Sequence, residues 1–228
     1  MVQTILLDLD NTLLDFNRAE ANAIARAFQD LGLPAGEAVQ QRYHEINRQQ
    51  WERLERGEVT RDQLLILRFQ LLFAQLGITA DAAEACRRYE GYLAQGGDLL
   101  PGAKDLLEML AGRYDLYLAT NGAAKIQYSR IAAAGIGSYF QKVFISEEVG
   151  GHKPQLEFFQ HCFAQIPGWQ RETTWMVGDS LTSDILGGLR AGIHTCWVNF
   201  DHAPCPEEIQ PDAIITALHQ LPALLERW

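Results

Sequence analysis

The chain alternates between two hydrophobic textures, and each predicts a different kind of element. Short apolar runs rich in β-branched and aromatic residues lie at Thr4–Leu9, Asp115–Ala119, Lys142–Ile145, Thr173–Val177, Thr195–Val198 and Ala213–Ile215. Gly, Asp, Asn or Pro bounds each of them, which suits buried strands. Helical patterns separate the later runs, at Ala103–Leu110, Ala123–Ala134, Gln155–Gln165, Thr182–Ala191 and Ala217–Glu226. Such alternation predicts βαβ units, and so an α/β fold with a doubly wound, mainly parallel sheet covered on both faces.

The interval between the first two strands differs. It carries four amphipathic helical patterns, at Arg18–Leu31, Ala38–Arg56, Arg61–Leu76 and Ala80–Ala94, and no convincing strand. Breaks fall at Leu33-Pro34-Ala35-Gly36, Gly57, Gly77 and Gly96-Gly97. Thr60, three residues before Gln63, predicts a capping box at the start of the third helix. The expected organisation is a core domain of residues 1–15 and 98–228, with an all-α helical bundle of residues 16–97 inserted after the first strand.

Charge narrows the partners. A formal net charge of −10 argues against a nucleic-acid polymer, because no excess of cations exists to neutralise its phosphates. A small phosphorylated metabolite is compatible, since a metal ion and one or two local cations can hold one phosphate. Cys86, Cys162, Cys196 and Cys205 lack metal-ligand spacing and read as reduced thiols. No apolar run approaches the ~20 residues that span a bilayer, and the N-terminus enters a strand without a basic segment. A cytoplasmic protein without a membrane partner is expected.

Candidate chemistry collects at strand ends, where open α/β sheets bind their ligands. Asp8 and Asp10 bracket Leu9 as the first apolar run stops. Strand alternation, if it continued that far, would place both acids on one side, and two such acids repel unless a cation lies between them. A solvated strand end, or an N-cap at Asp10, is the competing structural reading. The run ending at Val177 leads into Gly178-Asp179-Ser180-Leu181-Thr182-Ser183-Asp184. Asp179 can equally be a turn residue, and Asp184 an acid favoured by a helix dipole. Together, the four acids suit a hard divalent cation such as Mg²⁺.

Two further strand ends suit an anion. Thr120-Asn121-Gly122 offers a hydroxyl and a free backbone N–H at a helix start, although an ordinary N-cap explains it too. Lys153 precedes Pro154, a residue suited to the first position of a helix. A cation beside a helix N-terminus is unfavourable alone, and a bound phosphate or carboxylate would resolve the conflict.

These residues resemble, in order, the four motifs of the haloacid dehalogenase superfamily of hydrolases: Asp8-Leu9-Asp10-Asn11-Thr12, Thr120-Asn121, Lys153-Pro154, and Gly178-Asp179-Ser180 with Asp184. The inserted bundle is similar to the family's C1-type cap. The resemblance implies Asp8 as nucleophile and Asp10 as general acid and then base. It also implies Mg²⁺ held by Asp8, the Asp10 main-chain carbonyl and Asp179, with Asp184 on its waters. Thr120, the Asn121 N–H and Lys153 would hold the phosphoryl oxygens. Family dehalogenases lack the second acid of the first motif, so Asp10 implies phosphatase chemistry. Phosphomutases and non-catalytic members share the fold and are the alternatives.

Longer stretches, among them Ile145-Ser146-Glu147-Glu148-Val149-Gly150 and Thr195-Cys196-Trp197-Val198-Asn199, resemble bacterial pyrimidine 5′-nucleotidases. This implies a pyrimidine nucleotide (UMP, dUMP or TMP) as substrate, with other phosphorylated metabolites, such as a sugar phosphate, N-acylneuraminate 9-phosphate or phosphoglycolate, as alternatives. In the cap, Phe16, Asn47 and Trp51 are the expected substrate contacts, although Trp51 is equally suited to a bundle core. His44, His152 and His202 read as surface or turn residues.

Overall fold

All four residues of β1 (Thr4–Leu7) are buried in the computed structural model, which describes residues 2–228. Strands β2 (Asp115–Thr120) and β4 (Thr174–Gly178) flank β1 in parallel. With β3 (Lys142–Ile145), β5 (His194–Val198) and β6 (Ala213–Ile215) they form an all-parallel sheet ordered β3-β2-β1-β4-β5-β6. The winding direction reverses between β1 and β4, which opens a crevice at their C-terminal ends.

Strand alternation divides the core into two layers. Ile5, Leu7, Trp175 and Val177 pack on one face with Leu106, Leu107 and Leu110 of α5 (Ala103–Leu110) and with Leu221 and Leu225 of α10 (Leu221–Leu225). Leu6, Tyr117 and Met176 pack on the other with Phe158, Phe159 and Cys162 of α8 (Leu156–Ala164) and Ala191 of α9 (Leu186–Ala191). Helices α6 (Ala124–Ala134) and α7 (Ser146–Val149) follow β2 and β3.

The inserted helices are α1 (Phe16–Asp30), α2 (Glu37–Glu55), α3 (Arg61–Leu76) and α4 (Ala82–Leu93). They enclose a core of their own, built on Phe28, Tyr43, Phe69, Phe73 and Tyr89. Both bonds of the Thr60–Gln63 capping box form, at 3.3 and 2.9 Å, and Gly77 closes α3 in the left-handed conformation. Two chain crossings join bundle and sheet. They are held by Asp15 N–H to the Asp98 carbonyl and Leu100 N–H to the Leu13 carbonyl, each 2.9 Å.

The first strand ends two residues earlier than its apolar pattern predicts. Asp8 N–H still bonds the Val177 carbonyl at 2.9 Å, but the amides of Leu13 and Leu14 both turn back onto the Leu9 carbonyl. Asn11 takes a positive φ of 58° in that turn. Asp8 and Asp10 are therefore not successive side chains on one strand face, and they point to different partners. The expected helix at Thr182–Ala191 also differs: it opens with a π-helical turn, Leu181–Ile185, before α9.

Candidate active site

Lys153 is the electrostatic centre of the crevice. Its Nζ donates to Asp8 Oδ1 at 2.7 Å, Asp184 Oδ1 at 2.6 Å and the Ala119 carbonyl at 2.6 Å, and its side chain is only 1% exposed. Burial opposes the ammonium charge, but attraction to Asp184 and Asp8 outweighs it and holds the pKa above the ordinary lysine value. The Asn121 side chain clamps the Lys153 backbone, donating to its carbonyl at 3.0 Å and accepting from its amide at 2.9 Å. That leaves the Asn121 main-chain N–H, and not its amide group, for an anion. Helix α8 begins only at Leu156, so carboxylates, and not a helix terminus, set the environment of Lys153.

Carboxylate oxygens of Asp8, Asp179 and Asp184 all lie within 4.8 Å of one another. Thr12 anchors Asp179, donating from Oγ1 to its carboxylate at 3.3 Å and accepting from its amide at 3.1 Å. The Trp197 indole holds the Asp179 carbonyl at 2.8 Å, and Ser180 N–H holds Asp184 Oδ2 at 3.1 Å. Burial, followed by the charges of Asp184 and Asp10 against the opposing pull of Lys153, pushes Asp8 up to about 7. Burial and its acidic neighbours also raise Asp179 well above the usual carboxylate range. Three carboxylates facing one ammonium leave two negative charges, which one divalent cation would neutralise. An all-oxygen set of this kind fits a hard cation.

Gly178 sets how closely Asp184 approaches β4. A Cβ there would stand 2.1 Å from Asp184 Oδ2, so Asp184 could not keep its place. We expect Gly178→Ala to weaken divalent-cation affinity by about 10–100-fold, the usual cost of disturbing a ligand's support. A calorimetric titration of cation into both proteins measures it.

The Asp10 carboxylate lies outside this cluster, which corrects any reading of that side chain as a metal ligand; only its main-chain carbonyl is left for that role. It pairs with Arg130 Nη1 and accepts from Gln127 Nε2 at 2.9 Å. Gln127 Nε2 also reaches Thr120 Oγ1 at 2.7 Å. Arg130 is fully buried, fixed by its Nε on the Gly96 carbonyl at 2.8 Å, and its guanidinium carbon lies 5.5 Å from the centre of the Phe16 ring.

A cavity of about 200 Å³ joins these groups. Asp8, Asp10, Thr120, Asn121, Lys153, Asp179 and Asp184 line its floor, and Phe16, Trp51, Glu55, Arg61 and Leu65 its roof. Asn47 does not line it. The Asn47 amide is committed inside the bundle, to Glu20 at 2.6 Å and Arg68 at 3.0 Å, which replaces the expected substrate contact with a packing role. Glu20 also holds His44 Nδ1 at 2.6 Å. His152 donates from Nε2 to the Leu54 carbonyl at 3.2 Å, tying the turn before Lys153 to the end of α2. His44 is thus a surface residue and His152 a turn residue, as expected, and the ring of each is held by one hydrogen bond.

Sequence reasoning gave no role to Thr12, Gln127, Arg130, Glu55 or Arg61. Gln127 and Arg130 left one signal, polar side chains beside Ile131 on the buried face of α6. Burial and the nearby charge of Asp184 push Glu55 up to about 7, with the Thr182 hydroxyl and Lys153 opposing.

Comparison with known proteins agrees with this geometry. Residues 2–192 match the haloacid dehalogenase-like hydrolase family. The chain is 40% identical to the HAD-hydrolase YfnB of Bacillus subtilis, over 96% of this chain and 93% of that one. It is 42% identical to the pyrimidine 5′-nucleotidase PynA of Streptococcus pneumoniae, over 91% and 88%, and 33% identical to the pyrimidine 5′-nucleotidase YjjG of Escherichia coli, over 97% and 96%. The crystal structure of YfnB, described as bound to magnesium and as revealing interdomain movement, superposes with a TM-score of 0.94 at 39% identity over 98% of each chain. An L-2-haloacid dehalogenase from Xanthobacter autotrophicus shares the fold, with a TM-score of 0.77 at 18% identity over 99% of each chain. On its fold, its family match and its acidic crevice, the chain belongs to the haloacid dehalogenase-like hydrolases and has the makings of a phosphatase.

Proposed function

We propose that the protein is a magnesium-dependent phosphomonoesterase that hydrolyses pyrimidine nucleoside 5′-monophosphates through an aspartyl phosphate on Asp8. The observation that carries this reading is the separation of two carboxylates in one cavity, Asp8 on Lys153 and Asp10 on Arg130 and Gln127. An anionic nucleophile and a proton-transfer group need different surroundings, and the two acids have them.

In the proposed reaction an Asp8 oxygen attacks phosphorus and the phosphorus–ester oxygen bond breaks. Asp10 gives its proton to the departing alkoxide. Water then attacks the acyl phosphate, its proton goes to Asp10, and the phosphorus–Asp8 bond breaks to release inorganic phosphate. Lys153, the Thr120 hydroxyl and the Asn121 N–H hold the phosphoryl oxygens as charge moves among them. Asp8, Asp179 and the Asp10 carbonyl would hold the magnesium, with Asp184 on its waters; when bound, it lessens the repulsion between Asp8 and the phosphate. A halide leaving group needs no proton, so Asp10 and its two fixed partners favour an ester substrate over a haloacid.

Support for a pyrimidine nucleotide comes from PynA and YjjG, which match the bundle as well as the sheet. The human N-acylneuraminate-9-phosphatase, at 35% identity, matches over only 56% of this chain. Cap residues choose the leaving group in such an arrangement, so relatives that share the cap weigh more. In a panel of phosphorylated metabolites, kcat/KM for UMP, dUMP or TMP is expected to exceed that for sugar phosphates by about tenfold or more. Turnover of sugar phosphates without turnover of pyrimidine monophosphates overturns the substrate assignment.

A further inference from the structure

Four cap side chains, Tyr43, Glu55, Arg61 and Tyr89, have a buried polar atom without a hydrogen-bond partner among the described residues, and Glu55 and Arg61 are the two of them that ionise. Glu55 ends α2, Arg61 begins α3, and both line the cavity roof. Buried Glu55 Oε2 and Arg61 Nε have no hydrogen-bond partner among the described residues. An unpartnered polar atom in a closed space is costly, and a ligand that supplies the missing partner removes the cost. Arg68, the other cap arginine on this cavity, contrasts with them. Its guanidinium is occupied by Asn47, the Leu65 carbonyl and Cys86.

Glu55 follows Leu54, whose carbonyl accepts from His152 at 3.2 Å beside Lys153, so it borders the phosphoryl end. Arg61 lies among the acids Glu147, Glu90 and Asp62, of which Glu147 is held by the Ala124 N–H at 2.7 Å. Trp51 lies one helical turn before Glu55, and Leu65 one turn after Arg61, so each polar group has an apolar neighbour on its own cavity-facing side. Arg61 is moreover a cation in the first turn of a helix, where the dipole disfavours positive charge and an acceptor nearby would offset that.

We propose that Glu55 and Arg61 are the specificity pair of the cap: Glu55 accepts a hydrogen bond from a sugar hydroxyl, and Arg61 donates to a ring carbonyl of the base. An ionised carboxylate only accepts hydrogen bonds, so it suits the hydroxyls of a pentose. A guanidinium has no acceptor, so it selects a ring carbonyl over an exocyclic amine. The inference rests on the nucleotidase reading and adds the residues that make the choice.

The test compares UMP with ribose 5-phosphate, which has the sugar and lacks the base, on the intact protein with magnesium. Arg61→Gln is expected to lower the ratio of kcat/KM for UMP over ribose 5-phosphate at least tenfold, mainly through KM for UMP. Glu55→Gln is expected to raise KM for both substrates at least fivefold. Arg61→Met keeps the packed stem and decides the matter if the Gln variant melts early. If the wild-type protein prefers UMP and the folded Arg61 variants keep that preference, the pair is misassigned while the nucleotidase reading stands. If the wild-type protein does not hydrolyse UMP, both readings fall.

Discussion

Replacing Asp8 by asparagine is expected to remove turnover by a factor on the order of 10⁴ or more, and to leave the fold in place. Of the two carboxylates on Lys153, Asp184 is also held by the Ser180 N–H, which leaves Asp8 as the nucleophile, and an amide of almost equal size cannot form an acyl phosphate. The structure gives three reasons to expect a folded variant. Asp8 N–H bonds Val177 through the backbone, which the substitution does not touch. The lost charge was itself uncomfortable, being buried and crowded enough to lift its pKa to about 7. Lys153 keeps Asp184 and the Ala119 carbonyl as partners. The variant should therefore melt within about 5 °C of the parent in metal-free buffer. Release of inorganic phosphate from UMP, read beside a thermal melt, checks both parts. Near-normal turnover by a folded Asn variant would end the covalent mechanism.

How much of this was legible in the sequence depends on the range of the interactions involved. Strand positions follow from local apolar runs with turn residues at their ends, and five of the six strands lie within a residue of the apolar run. The exception is β1, where Leu9 is as buried as a strand residue but serves as acceptor for a tight turn. Hydrophobicity reports burial and not backbone direction, so that turn was invisible. The acids at strand ends were found because a parallel sheet gathers its C-terminal ends without any knowledge of side-chain contacts. Partners of those acids were not found, since Arg130 reaches Asp10 across 120 residues and Thr12 reaches Asp179 across 167. In the cap the pattern distinguished helix from strand but not a buried amide from a ligand contact. Asn47 and Trp51 are one turn apart on α2; Asn47 is locked by Glu20 and Arg68, while Trp51 faces the cavity.

Chelation of divalent cations is expected to stop hydrolysis altogether, and the same carboxylates make the effect of the cation on stability depend on pH in a definite direction. Asp8 is raised from 3.8 to about 7 in the folded protein without a cation, and Asp179 is raised as well. For an acid whose folded pKa is raised, the folded state holds the extra proton between the two values. The associated stability is complete below about 4 and disappears as pH climbs through about 7. A bound divalent cation takes the place of those protons. Its gain in Tm should thus be small at pH 5 and larger by several degrees at pH 8, at about 2–4 °C per kcal/mol for a chain of this size. Lys153 does not disturb the comparison, because its pKa lies above the ordinary lysine value and it stays charged throughout. Melting curves at pH 5 and pH 8, with magnesium and with excess chelator, measure the difference, and Asp179→Asn should flatten it. A Tm gain equal at both pH values, or full activity in excess chelator, would show that the three carboxylates do not meet around a cation.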